Sequence, residues 1–355
     1  MWLQLTAAGA AEPLTLTDAS ARVDSYADED ISTVGPGARV VAGADAWTVG
    51  ASWSADFVSG ATPVIRSDVV SSATTFSDVR NAPGVDVALS PTGTWSARAS
   101  WSASLERDFV AHVAGVGAST DAFGRMVTLR ADYRARFETT GRADDASYAE
   151  RATGHALDLG WVQILGRTTS MSVLATGQWD QCSDALGCQA NPYRLLLVDG
   201  VVLAERHPAE RARLAAALRL SQAVGERSAA HGGYRYYTDA WGVAGHTADL
   251  ALVRALLADR LQLRATGRWS TQSAASFWRA TYAGAPAWRT ADRELEALSS
   301  WGAGAAADWS FYAAGPFARF GVGARLDRLW YRYPDDPYVS SRAAWLFGGG
   351  LDADF

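Results

Sequence analysis

Arginine and aspartate fall on alternate residues in the stretch Met126–Phe137, MVTLRADYRARF. Arg130, Asp132, Arg134 and Arg136 share one phase, and Val127, Leu129, Ala131, Tyr133, Ala135 and Phe137 share the other. A period of two sends successive side chains to opposite faces of an extended strand. The same polar phase elsewhere carries Arg98, Arg213, Arg219, Arg264, Arg268, Arg319 and Arg325, together with Asp56, Asp86, Asp180 and Asp327. Ten arginines against five aspartates, all facing water between low-dielectric walls, would attract anions. The same residues could instead form a ladder of Arg–Asp pairs that stiffens a wall. Both readings stay open at the level of sequence.

Other chemistry is thinly represented. The histidines are His112, His155, His207, His231 and His246. His231 and His246 flank one expected hairpin, with Tyr234, Tyr236, Tyr237 and Asp239 between them, so they could meet in space. No serine stands in a G-x-S-x-G context, so no nucleophile is assigned and no catalytic site is expected. The acidic tips Asp28-Glu29-Asp30 and Asp335-Asp336 read as solvated turns rather than metal sites. Gly348-Gly349-Gly350 lies inside the last expected strand, not in a phosphate-cradling loop. Neither cofactor nor metal is expected. Cys182 and Cys188 stand close together in WDQCSDALGCQANPYR. A disulfide closing this short loop is favoured over a metal site, which lacks further ligands in the neighbouring sequence.

These side chains need strands to hold them. In Trp47–Phe57 and Thr94–Ser104 tryptophan and alanine alternate with serine, threonine and charged residues. The rhythm continues through Val110–Ala118, His155–Leu165, Thr168–Asp180, Ala230–Tyr237, Thr247–Leu257, Leu261–Gln272, Glu294–Asp308, Pro316–Tyr331 and Ala343–Phe355. Arg211–Gln222 has the composition of an amphipathic helix, but its neighbours alternate and it is read as a strand. Gln181–Glu205 is read as a loop. The count comes to about 16 strands, joined alternately by short turns and longer polar loops.

Composition narrows what the apolar face touches. The chain has 355 residues, 48% of them hydrophobic, with 15 tryptophans and no lysine. No run approaches the roughly 18 apolar residues of a spanning helix. A net charge of −6 argues against nucleic acid as a partner. Small and aliphatic residues occupy mid-strand on the apolar faces, and aromatics gather toward strand ends, as interfacial girdles require. The arginine- and aspartate-bearing faces must meet water. In lipid every backbone donor must be paired, so such strands survive only in a closed sheet. The fold expected is all-β, a closed antiparallel up-and-down transmembrane β-barrel over residues 14–355. Residues 1–13 are read as a signal remnant or leader. Trp345, Phe347, Leu351, Ala353 and Phe355 share the outward face of the last strand, so Phe355 is expected to act as the assembly signal. Arginine at Ala131 should cost roughly 2–4 kcal/mol near the bilayer midplane, and asparagine at Asp132 far less.

Four segments resemble an uncharacterised family of Gram-negative, myxobacterial-type outer-membrane β-barrels. They are Asn191-Pro192-Tyr193-Arg194, Tyr234-Arg235-Tyr236-Tyr237 with Asp239 and Trp241, Gln272–Phe277, and Thr290–Leu295. The likeness runs from about Asp24 to Phe355. It implies fold and location, with a hint of an envelope lipoprotein or redox partner, and carries no activity. The function expected is a porin-like channel in the bacterial outer membrane, passing small and preferentially anionic solutes without catalysis. Its partners would be membrane lipid, lipopolysaccharide and the outer-membrane assembly machinery. The alternative is a non-conducting scaffold or receptor barrel holding a lipoprotein or redox partner.

Overall fold

The computed structural model describes residues 14–28, 31–60, 76–183, 188, 192–314 and 317–355. The expected leader, Glu29-Asp30 and most of the polar segment Ser59–Asp78 lie outside them. The strands begin with β1 (Thr15–Ala27), β2 (Ile31–Ala44), β3 (Trp47–Gly60), β4 (Phe76–Leu89), β5 (Trp95–Leu105) and β6 (Phe109–Ala122). Next are β7 (Val127–Arg142), β8 (Asp145–Ile164), β9 (Thr169–Cys182), β10 (Leu195–Val198), β11 (Val201–Ala204) and β12 (Glu210–Ala223). The series ends with β13 (Ser228–Asp239), β14 (Ala244–Leu256), β15 (Leu261–Gln272), β16 (Leu298–Ala314), β17 (Phe317–Arg332) and β18 (Ser341–Asp354). All but β10 and β11 form one closed barrel of 16 antiparallel strands.

Closure is made by the chain ends. β1 pairs with β18 from Asp18↔Asp354 to Ala27↔Trp345, and the Phe355 amide donates to Thr17 O at 3.1 Å. No sheet edge remains in the barrel, as a hydrocarbon surround demands. One end is closed by short turns, several with left-handed residues such as Asp45, Phe123-Gly124-Arg125 and Leu257-Ala258-Asp259. The other end, the mouth, carries the longer loops.

The outward face is apolar and unshielded by protein. Leu214, Leu250, Leu252 and Val116 are each more than half exposed. Aromatics gather toward the mouth: Trp269, Trp301 and Trp330 stand side by side across β15–β17. His155 stacks between Tyr133 and Trp179 on β7–β9 and is hydrogen-bonded to the Tyr133 hydroxyl at 2.6 Å. Tyr234 and His246 repeat that bond on β13 and β14, again at 2.6 Å. A second set, including Trp47, Trp95, Trp161 and Trp309, lies nearer the short turns. Amphipathic rings in two bands are what a bilayer's two interfaces select.

Three sequence expectations change. Gln181–Glu205 is not wholly irregular, because β10 and β11 form a hairpin around Asp199-Gly200, both at positive φ. The strand expected at Glu294–Asp308 begins at Leu298, since Arg293–Leu295 is a 3-10 turn capped by Asp292. His231 and His246 do not meet. His231 faces inward and bonds to Ser221, whereas His246 lies in the outward aromatic band.

The facing of β7 gives a direct test. Ala131 stands on the outward face between Ala118 and Leu159. Arginine there is expected to cost roughly 2–4 kcal/mol on folding into vesicles. Asp132 is only 8% exposed and holds both Arg98 and Arg130. Asparagine there gives up two charge-assisted bonds, so about 1–2 kcal/mol is expected, more than for a freely solvated residue. Urea titrations that give a larger loss for asparagine at Asp132 than for arginine at Ala131 would overturn the facing.

Candidate functional site

The inward wall is built by an arrangement no single strand encodes. Arg39 of β2 reaches over Gly50 of β3 to Asp86 of β4, with Nη1 2.6 Å and Nη2 3.0 Å from the carboxylate oxygens. Arg98 of β5 crosses Gly117 of β6 to Asp132 of β7. Arg136 of β7 crosses Gly154 of β8 to Asp180 of β9 at 2.9 Å. Arg219, Gly233 and Asp249 repeat the order on β12–β14 with a 4.0 Å separation. A Cβ on Gly117 would collide with the Asp132 carboxylate, and one on Gly154 would stand 2.5 Å from Asp180 Oδ1. Glycine therefore lets the acidic side chain lie flat on the wall, where an arginine two strands away can reach it.

The remaining sequence-selected arginines divide. Arg130 shares Asp132 with Arg98, and Arg134 binds Asp158 at 2.6 Å. Arg213 joins Arg136 on Asp180 at 3.2 Å. Arg319 contacts Asp352 and Asp354 at 2.7 and 2.8 Å, and Arg325 binds Asp327. Arg264 and Arg268 on β15 have no carboxylate ion-pair partner among the described residues. Both border an inward cavity of about 950 Å³, as do Arg219 and Arg325.

The ten-to-five excess does not survive the register. Asp24, Asp249, Asp308 and Asp352 border the same cavity, and Asp158 faces inward on β8. Arg22, Arg39 and Arg80 join the basic side. The wall is close to balanced, and much of it is a ladder of ion pairs.

The mouth carries a cap. Within it, Leu196 and Val198 of β10 pack with Ala291. Val243, Ala275, Trp278 and Leu295 form a second small core, flanked by Trp241 and Phe277. A buried polar chain joins the two long loops. Glu205, 1% exposed, accepts from Arg194 Nη1 at 3.1 and 3.2 Å and from the Thr290 hydroxyl, and lies 2.7 Å from His207 Nε2. Burial works against the Arg194 charge, but Asp292 and Glu205 outweigh it and hold its pKa above the usual value. Glu294 is pushed the other way for a carboxyl, upward, first by the charge of Asp292 and then by burial. A carboxyl raised in the folded state favours the cap below its unfolded pKa and weakens it as pH rises through the folded value. The Tyr193 hydroxyl donates to Asp108 in the β5–β6 turn and accepts from the Ala143 amide in the β7–β8 turn at 2.7 Å, which ties the cap to two neighbouring rim turns.

Cys182, closing β9, is bonded through sulfur to Cys188, with Cα atoms 6.1 Å apart. Cys188 in turn pairs its backbone with His207, so the bridge ties cap to wall. Glu150 lies within 4.8 Å of both sulfurs. Alkylation of denatured protein from the envelope is expected to label neither cysteine until a reductant is added. Two labelled thiols without reductant would reject the bridge.

The fold and its inward charged face define a closed, 16-stranded antiparallel transmembrane β-barrel. A family profile described as "Protein of unknown function (DUF3570)" matches residues 94–317, and the chain belongs to that family. That span contains all four segments on which the resemblance rested. No curated protein matches the sequence. Among solved structures, a bacterial polysaccharide outer membrane secretin aligns with TM-score 0.53 and 9% identity, over 95% of this chain and 98% of the other. The siderophore receptor PirA from Pseudomonas aeruginosa aligns with TM-score 0.51 and 11% identity, over 95% of this chain but 62% of the receptor. OccK5 (OpdH) from Pseudomonas aeruginosa gives 0.46 and 8%, over 96% and 98%. At such identities the likeness is one of fold.

Proposed function

We propose that this chain is an outer-membrane channel that passes small solutes passively and prefers anions through Arg264 and Arg268. One observation carries the reading: these two guanidiniums face the 950 Å³ cavity without a carboxylate partner among the described residues, whereas most other inward arginines are ion-paired. An ion in water meets net charge, so unpaired groups set the preference and paired ones set rigidity. The two aromatic bands support a bilayer location, with lipid and lipopolysaccharide as surroundings and the barrel-assembly machinery as the route in. The reading needs no catalytic residue.

The buried core of the cap favours a second reading, a non-conducting receptor or scaffold barrel whose mouth holds an envelope lipoprotein or redox partner. Conductance in planar bilayers separates the two. Steady open steps from the purified chain support the channel. Silence that ends only when the cap between β9 and β12 is shortened supports the second reading.

A further inference from the structure

Strand β17 carries an arginine on the face that meets lipid. The strand sends Arg325 and Asp327 inward to the large cavity, while Val322, Leu326 and Trp330 are exposed on the outward face. By the same period of two, Arg328 falls on the outward phase, opposite Ala303 of β16 and Trp345 of β18. No acidic residue shares the outward phase of β16, β17 or β18.

The protein leaves this side chain unsatisfied. The Arg328 guanidinium lies 4.7 Å from the centroid of the Trp345 ring, and among the described residues it has neither a carboxylate nor a hydrogen-bond acceptor. Contact with a ring face takes none of a guanidinium's five N–H donors. Arg254, on the outward phase of β14 near the short turns, is different, because its Nη1 donates to Ser228 Oγ at 2.8 Å. Charged donors without an acceptor are costly at a lipid boundary and mark a functional position.

Depth and charge narrow the occupant. Arg328 stands two residues, about 7 Å of strand, below Trp330 of the mouth-side aromatic band. Its long stem lets the guanidinium rise to the headgroup level that such a band marks. Arg332 follows on the same face four residues on, about 13 Å along the strand, and it too has no ion-pair partner among the described residues. In an outer-membrane barrel the longer loops face the exterior, so both arginines meet the outer leaflet. The glycolipid of that leaflet, lipid A, carries a phosphate at each end of its disaccharide. Two separated guanidiniums suit it better than a glycerophospholipid with one phosphate, and arginine grips phosphate through paired N–H donors.

We propose that the outward face of β17 binds lipid A, with Arg328 on one phosphate, Arg332 on the other, and Trp330 and Trp345 beside the sugar. This site rests on the outer-membrane location given above and is independent of conduction. Native mass spectrometry of the full-length barrel, refolded in a neutral detergent and titrated with bis-phosphorylated lipid A, should show one lipid A retained per barrel. Affinity should fall on the order of tenfold or more in R328Q and stay unchanged in R254Q. Dephosphorylated lipid A should bind the unaltered barrel as weakly as the intact lipid binds R328Q, which tests the contact without a substitution. Heat-modifiable gel mobility confirms that each variant is folded. Equal affinity of R328Q and the unaltered barrel would overturn the site. So would phosphatidylglycerol retained as tightly as lipid A, or a dimer of the chain in place of the lipid adduct. An expressed chain that fractionates away from the outer membrane would reject the location, and the site with it.

Discussion

Valine at Gly117 should lower the stability of the folded barrel by roughly 2–4 kcal/mol, while valine at Gly177 should change it by less than about 1 kcal/mol. Gly117 lies under the Arg98–Asp132 pair, and a Cβ there would meet the carboxylate and stand 3.0 Å from Arg98 Nε. Asp132 is 8% exposed and has no room to retreat without releasing both arginines. Overpacking alone costs about 1–3 kcal/mol, and a buried carboxylate stripped of its partners costs more. The upper figure is discounted because the arginine side chains are 42% and 53% exposed and water screens what they lose. Gly177 is the matched control. It faces outward between Leu157 and Leu214, and nothing lies within 4 Å of an added Cβ. Reversible urea unfolding from lipid vesicles reads both. Coincident midpoints for the two variants would mean that glycine on the inward wall is not what seats the aspartates.

What could be read from sequence followed local periodicity. β3, β5 and β7 alternate cleanly, and the structure pairs them in the expected facing. Arg211–Gln222, helical in composition, is the strand β12 because β9 and β13 supply its backbone partners. Register across strands was not legible. The sequence of β14 is largely apolar on both phases, so the inward facing of Asp249 is fixed only by its neighbours. For the same reason the arginine–glycine–aspartate order, spread over three strands far apart in the chain, leaves no linear motif. The cap was missed for a different reason. Leu196, Trp278 and Leu295 are buried by contacts between loops, which carry no period. One signal was available: Asp199-Gly200 between LLLV and VVLA is a hairpin signature in its own right.

Replacing Arg264 and Arg268 together by serine should shift the reversal potential toward cations, most clearly in dilute salt. A unit charge about 8 Å from a permeating ion contributes roughly 0.5 kcal/mol at the dielectric of water, about twofold in occupancy. Each charge draws anions and repels cations alike, so losing both should lower the unscreened anion-to-cation ratio roughly 15- to 30-fold, and screening over about 10 Å at 0.1 M salt should reduce this to about fivefold. Two companion variants isolate the cause. Removing Arg39 and Asp86 together leaves the net charge unchanged, because they form one ion pair, so selectivity should hold while stability falls. Asp308→Asn removes an exposed carboxylate that borders the same cavity and should shift the potential the opposite way. If the arginine-to-serine pair and the charge-neutral pair move the potential equally, the unpaired arginines do not set the preference. If the unaltered channel prefers cations, inward carboxylates such as Asp308, and not the unpaired arginines, set the field.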